Sequence, residues 1–284
     1  MRQYYFTKLS GAGNDFILFD LKLNPELDLN SPFISKICDR RNGIGADGVI
    51  LFDDSNDLGF TMKYYNADGS TGSLCANGAR CSLYYAYKTN RIDNNNVQFL
   101  SNGIQYHGKV LNDELIQFFL KEPENLKTNF KIKAAGQLIA ASFVNTGSPH
   151  VVIKIKDVLK VPNQINSNTF SLDEFPVYEI GKEIRYSKDF APEGTNVNFI
   201  ELRGDLIKIR SYERGVENET LACGTGSVAS AIISFIQDKM KPPIKLVAKS
   251  GDELIVDFKV EDNRFMNLSL TGPAKIIFKG EITI

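Results

Sequence analysis

A chain of 284 residues with 43% hydrophobic and 24% charged residues lies near the globular average. That excludes a disordered or fibrous polymer and leaves room for two domains of ordinary size with a cleft between them. Lys and Arg total 33 against 34 Asp and Glu, a net charge of -1, so nothing pulls the chain towards nucleic acid or an anionic membrane and a small-molecule partner is expected.

In chain order, the first half alternates short β-rich runs, at 4–8, 16–20, 49–52, 61–65, 97–100 and 116–120, with Gly, Asn and Asp turns. Two helices interrupt them. One has Ser31 as N-cap and Pro32 at its first position, carries Ile34, Ile37 and Cys38 on one face, and stops near Gly43; the other follows Asn77 and runs to about Lys88. The polar stretch 121–131, containing KEPENLKTN, reads as a linker. Strands follow at 150–155, 197–202, 206–212, 244–248 and 253–258, with one long helix from Gly224 to about Lys239 that is apolar nearly all round and ends before Pro242 and Pro243. These readings predict domains at 1–120 and 121–271, with a last strand at 272–284 that fits either half. The N-terminal MRQYYFTKLSGAGNDF lacks the apolar core of a signal peptide and no later run has the length of a membrane span, so a cytoplasmic location is expected.

Four cysteines, at 38, 75, 81 and 223, do not show the paired short spacings of a structural zinc site, so no metal is expected and all should be free thiols in a reducing compartment. Cys38 and Cys81 read as small buried hydrophobes. Cys75 and Cys223 differ, because each ends a Gly-rich turn and stands just ahead of a helix. The unpaired N–H groups and positive dipole end of a helix lower a thiol's pKa and also bind a carboxylate. Two such thiols on opposite faces of one carbon suit removal of a proton from one side and delivery of another from the opposite side, which inverts a stereocentre. The shared device, turn residues then Cys then a helix start, suggests an internal duplication.

At these residues the sequence resembles diaminopimelate epimerase. The similarity runs through SGAGNDF (10–16), RRNGIGADGV (40–49), NADGS and CANGARC (66–81), NTGSPH (145–150), NVNF (196–199) and YERGVENETLACGTG (212–226). The resemblance implies an α/β (α+β) fold of two pseudo-symmetric domains, each a mostly antiparallel curved sheet around a central helix, with the active site in the interdomain cleft. It also implies four catalytic residues, Cys75 and Cys223 as the acid–base pair with His150 and Glu213 beside the reacting centre. Asn14, Asn66, Asn196, Glu213 and Arg214 are then substrate contacts, and Ala76, Asn77, Gly224 and Thr225 lend groups at the helix starts. No cofactor, pyridoxal phosphate included, and a homodimer are implied.

Taken singly these residues have plainer readings: Asn14 and Asn66 as turn residues, Asn196 as a loop end, Glu213 with Arg214 as an exposed ion pair, His150 as a satisfied strand residue and His107 on a hairpin surface. Three positions depart from the family habit. Ala76 replaces a Gly, where a positive φ would be strained by about 1 kcal/mol; Ser148 stands where many members have Asn, and Gly48 where some have Gln. The competing functions are a racemase of the same fold acting on proline, hydroxyproline or histidine, an isomerase of the phenazine-biosynthesis type, and a non-catalytic or thiol-redox protein.

Overall fold

The computed structural model describes residues 2–71, 75–93, 96–162 and 170–283, and the chain divides into two compact units, Met1–Phe119 with Thr271–Ile284, and Leu120–Leu270. Unit 1 contains β1 (Gln3–Gly11), β2 (Asn14–Asp20), α1 (Ser31–Cys38), β3 (Gly48–Asp53), β4 (Phe60–Asn66), α2 (Ala76–Lys88), β5 (Val97–Ser101), β6 (Ile104–Val110), β7 (Leu115–Phe119) and the C-terminal β17 (Lys275–Thr283). The last strand pairs with β1, which settles its place in this unit. Pairings from β17 through β1, β2, β3, β4, β5 and β6 to β7 are antiparallel except β2–β3 and β4–β5, the two crossovers that carry α1 and α2.

Unit 2 contains β8 (Glu124–Ala134), β9 (Gln137–Asn145), β10 (Pro149–Lys154), α3 (Val177–Arg185), β11 (Asn196–Arg203), β12 (Leu206–Glu213), β13 (Asn218–Thr220), α4 (Gly224–Asp238), β14 (Ile244–Val247), β15 (Glu253–Glu261) and most of β16 (Arg264–Pro273). It repeats the first plan element by element. β8–β9 answers β17–β1, β9–β10 answers β1–β2, and the parallel steps β10–β11 and β12–β14 again carry the helices α3 and α4. Even a small decoration recurs: β13 pairs with β12 just before α4, and an isolated Tyr65–Thr71 bridge closes the turn after β4.

In each unit one helix lies inside the curve of the sheet and one outside. α2 is buried from Ala76 to Ala86 and meets β1, β3, β4, β6, β7 and β17; α4 is buried from Gly224 to Ser234 and meets β9, β10, β11, β12, β14 and β15. Their Gly, Ala and Ser residues keep the surface narrow enough for strands to approach on several sides. Phe52, Phe60 and Phe99 on β3, β4 and β5 stack at 5.0 and 4.7 Å, and Tyr85 of α2 meets Phe52 edge-on at 5.1 Å. Each such ring contributes about 1.5–3 kcal/mol through burial. The outer helices cover the other faces: Ile34 and Ile37 of α1 pack on Ile17, Phe19 and Val49, while Val177, Ile180 and Ile184 of α3 pack on Val151, Val197, Phe199 and Tyr212.

Several elements differ from the sequence reading. The N-cap of α1 is Asn30, whose side chain accepts from Phe33 N at 2.9 Å, while Ser31 instead donates its hydroxyl to Gly69 O. The helix stops at Cys38 because the Asp39 carboxylate accepts from the Arg41 and Asn42 N–H groups and draws the chain into a turn. The expected linker is largely β8, an edge strand whose first six residues are exposed and are held by pairing with β9. Helix α3 was not expected, since Pro176 and the central Gly181 mask its periodicity. That glycine is required by packing, because a Cβ there would lie 2.5 Å from Tyr212 Cβ. Gly181→Ala should therefore destabilise by about 1–3 kcal/mol through overpacking, against the roughly 1 kcal/mol gain that helix propensity alone gives; urea unfolding monitored by circular dichroism measures the sign.

Candidate active site

Both cysteine junctions have the same local build. Cys75 is the N-cap of α2 (φ -105, ψ 100) and Cys223 the N-cap of α4 (φ -111, ψ 107), each with extended backbone. Cys75 Sγ accepts from Gly78 N at 3.4 Å. In the matching place of α4, Gly226 leaves its notional Cβ only 3.1 Å from Cys223 Sγ and in collision with Asn198 Oδ1, so a side chain is excluded there. The helix starts therefore present their first N–H groups beside the sulfurs. Ala76 begins α2 with no positive φ, so the strain expected from a missing glycine does not arise. Gly72, Ser73 and Leu74 of the first junction lie outside the described residues.

In unit 1, Asn77 of α2 donates its amide to Asn14 Oδ1 and accepts from Arg80 Nη2 at 2.9 Å. Asn14 in turn donates to Asp47 Oδ2 at 2.9 Å. Asp47 shares Arg40 with Asp15, and Asp15 also meets Lys8 at 2.7 Å. Burial pushes the Asp15 carboxyl up, but Arg40 and Lys8 outweigh it and hold the group below its ordinary value. Asn66, at the end of β4, donates to Ser70 Oγ at 3.0 Å and stays half-buried at the mouth of its turn. Gly48, one of the departures, pairs with Asn66 and has Tyr64 and Tyr65 O where a Cβ would stand.

In unit 2 the corresponding positions converge on Cys223. Thr225, two residues into the junction as Asn77 is in the other, lies 3.8 Å from Cys223 Sγ, 2.9 Å from His150 Nε2 and 3.3 Å from Ser148 Oγ. His150 is fully buried. Its tautomer follows from its partners: Asn198 Nδ2 donates to Val151 O at 3.0 Å and, with the amide so oriented, also donates to His150 Nδ1 at 3.1 Å. Nε2 must then carry the proton of the neutral ring and donate to Ser148 and Thr225. The Thr225 hydroxyl accepts from His150 and is left with its own proton to offer.

Asn196 is buried and fully engaged, donating to Pro149 O at 2.9 Å and accepting from Arg214 N at 2.9 Å. It holds the backbone of Arg214, whose guanidinium reaches Glu193 O at 3.4 Å. Glu213 ends β12 half-buried and accepts from the Thr220 hydroxyl. Burial first, and the Glu213 carboxylate second, push the Cys223 thiol well above its ordinary value, while Gly226 N–H and the Thr225 hydroxyl pull it down. This corrects the expectation that a helix N-terminus lowers the pKa of both thiols. At Cys223 the dipole is outweighed by desolvation and a carboxylate.

Sequence reasoning missed Asn198, Asp47 and Arg80 as parts of these networks. The alternation in NVNF, which puts Asn196 and Asn198 on one face of β11, was a usable signal. Cys38 and Cys81 are buried as expected.

Burial, then the charge of Arg214, lowers the His150 pKa to about 3. The unfolded chain takes up a proton near pH 6.5 that the folded chain refuses, so stability is complete above that value and falls as pH drops from about 6.5 towards 3. His150→Gln should flatten this part of the profile by at most about 1.4 kcal/mol per pH unit. Parallel urea titrations of both proteins between pH 7 and 4 provide the comparison, and identical slopes would contradict the assigned neutral ring.

A sequence model for diaminopimelate epimerase matches residues 6–115 and 142–277. The chain is 36% identical over 280 residues to the diaminopimelate epimerase of Chlorobaculum tepidum, covering 97% of this chain and 100% of that one. It is 36% identical over 290 residues to that of Aquifex aeolicus, with 98% and 97% covered, and 37% identical over 278 residues to that of Flavobacterium psychrophilum, with 97% and 98% covered. Among solved structures, a Bacillus anthracis phenazine biosynthesis protein of the PhzF family superposes with a TM-score of 0.73 at 13% identity, with all of both chains covered. A probable proline racemase from Agrobacterium radiobacter gives a TM-score of 0.73 at 10% identity, covering 99% of this chain and 93% of that one. At such identities these two show the fold alone: a sheet-dominated α+β architecture with a pseudo-two-domain plan.

Proposed function

The chain belongs to the diaminopimelate epimerase family, and from that premise we propose that it interconverts LL- and meso-2,6-diaminopimelate in lysine biosynthesis, using Cys75 and Cys223 as base and acid without a cofactor. The observation that carries this reading is the pair of matched junctions, each with a cysteine as N-cap of a buried helix. One thiolate takes the α-proton: the Cα–H bond breaks, an S–H bond forms, and the electron pair stays on carbon. The other thiol then gives its proton to the opposite face of that carbon. The product is the inverted centre, and the two sulfurs have exchanged protonation states, which is why either epimer serves as substrate.

N–H groups at a helix start suit a substrate α-carboxylate, Ala76 and Asn77 supplying them at α2 and Gly224 and Thr225 at α4, and such donors would also carry charge as it spreads from the carbanion onto the carboxylate. Arg214 supplies a planar cation for a distal carboxylate, and Asn14, Asn66 and Glu213 supply amide and carboxylate groups for an amino acid end. Asn196 acts through Arg214, whose N–H it holds. His150 has no exposed surface, so its role is to orient Thr225 beside Cys223 rather than to touch the substrate.

The family's sequence blocks extend beyond the cysteines to Arg214 and the asparagines, which favours a diamino diacid over proline, hydroxyproline or histidine. Among the described residues no helix is long and apolar enough to cross a membrane, and a cytoplasmic homodimer is the form proposed. The exposed Tyr5, Ile277 and Phe278 on the β1–β17 pair support self-association; light scattering reads the mass directly.

Incubating LL-diaminopimelate with the protein and following the product by NMR tests the activity. The wild type should form the meso isomer, and Cys75→Ala and Cys223→Ala should each lose roughly 10³-fold or more in kcat. Wild-type turnover by both variants would end the reading.

A further inference from the structure

The two junctions share a topology but not a charge. Arg80 stands five residues after Cys75 and is fully buried, whereas the residue five after Cys223 is Val228, buried and neutral. A guanidinium keeps its proton at any ordinary pH, and a long side chain on a helix leans back towards the N-terminus. The bond from Arg80 Nη2 to Asn77 Oδ1, at 2.9 Å, fixes that direction. The positive charge is thereby delivered to the first turn of α2, where it adds to the dipole's positive end next to the sulfur. On the other side, Glu213 ends β12 as Asn66 ends β4. One junction thus carries a buried cation and a neutral amide where the other carries a neutral valine and a carboxylate.

We propose that Arg80 is a positioning residue for Cys75, its buried charge holding the Asn77 amide and favouring the thiolate at the start of α2. This rests on the two-thiol reading above. Other charged and titratable groups pack near α2. Lys8 and Arg40 face Asp15 and Asp47 by the β1–β2 turn. Arg91 faces Asp20 and Asp54, with Tyr85 donating to Asp20. Tyr64 on β4, Tyr106 on β6 and Cys81 in the helix are titratable groups against α2, and burial raises both Tyr106 and Cys81. The Lys275, Lys279 and Glu281 side chains of β17 are exposed.

A Cys223→Ser background isolates the Cys75 titration, since burial raises the Cys38 thiol to about 12 and that of Cys81 further. In this background, thiolate absorbance at 240 nm and the rate of iodoacetamide alkylation would be followed against pH for Arg80, Arg80→Lys and Arg80→Gln. Arg80→Gln should raise the apparent pKa of Cys75 by about one unit or more, slowing alkylation about tenfold at neutral pH. Arg80→Lys, which keeps the charge, should move it by less than half as much while lowering kcat/KM in the protein with both cysteines. Coincident pH profiles for the Gln and Arg proteins, both folded by circular dichroism, would overturn the proposal. Should the Gln variant not fold, the Lys variant decides: an unchanged kcat/KM together with an unchanged profile overturns it. The alkylation readout needs no turnover, so an error in the assigned substrate leaves it untouched, whereas full epimerase activity in Cys75→Ala would defeat the parent reading instead.

Discussion

A cysteine as the N-cap of a helix enclosed by sheet is the constraint on which the rest of this protein is organised. A cap residue needs extended backbone while the next residues turn helical, and burial of the helix leaves that end as the one place where its unpaired N–H groups remain available. The sheet must curl to enclose such a helix, and the helix must be lined with Gly, Ala and Ser for the strands to come close. Both units obey these demands. Their parallel crossovers put the helix start level with the ends of β2, β3 and β4 in one unit and of β10, β11 and β12 in the other, and those ends supply the polar side chains.

The duplication preserves the frame and lets the chemistry diverge. Asn14 and Asn77 occupy the places that Ser148 and Thr225 hold in unit 2, and both pairs are in hydrogen-bond reach of one another. Behind the first pair stand charged groups, Asp47, Arg40 and Arg80. Behind the second stands a neutral imidazole, held by Asn198. A repeated scaffold with unequal charges gives its two cysteines unequal electrostatic surroundings.

Much of this was legible in the sequence because it depends on local rules. The cysteine junctions announce themselves through glycine turns followed by apolar helices, and most strands through runs of β-branched and aromatic residues. What was not legible depends on contacts between distant segments. Strand β8 reads as a linker because its first residues face solvent and only β9 holds them. Helix α3 carries Gly181, which its own segment does not explain but Tyr212 does. The thiol of Cys223 looks like an acidic one from its helix start alone; Glu213, brought in by β12, and the depth of burial reverse that. His150 gives no hint in the sequence that it hydrogen-bonds Thr225 and is wholly buried.

The claim that two separate sulfurs handle the two protons is tested most directly by running the reaction from LL-diaminopimelate in D2O and following Cα by NMR at early conversion. Delivery from a second, solvent-equilibrated thiol predicts that the first meso product carries deuterium at the inverted carbon while unreacted substrate keeps its protium. Meso product that retains the substrate's own proton would mean that one group performs both transfers, and would contradict the account.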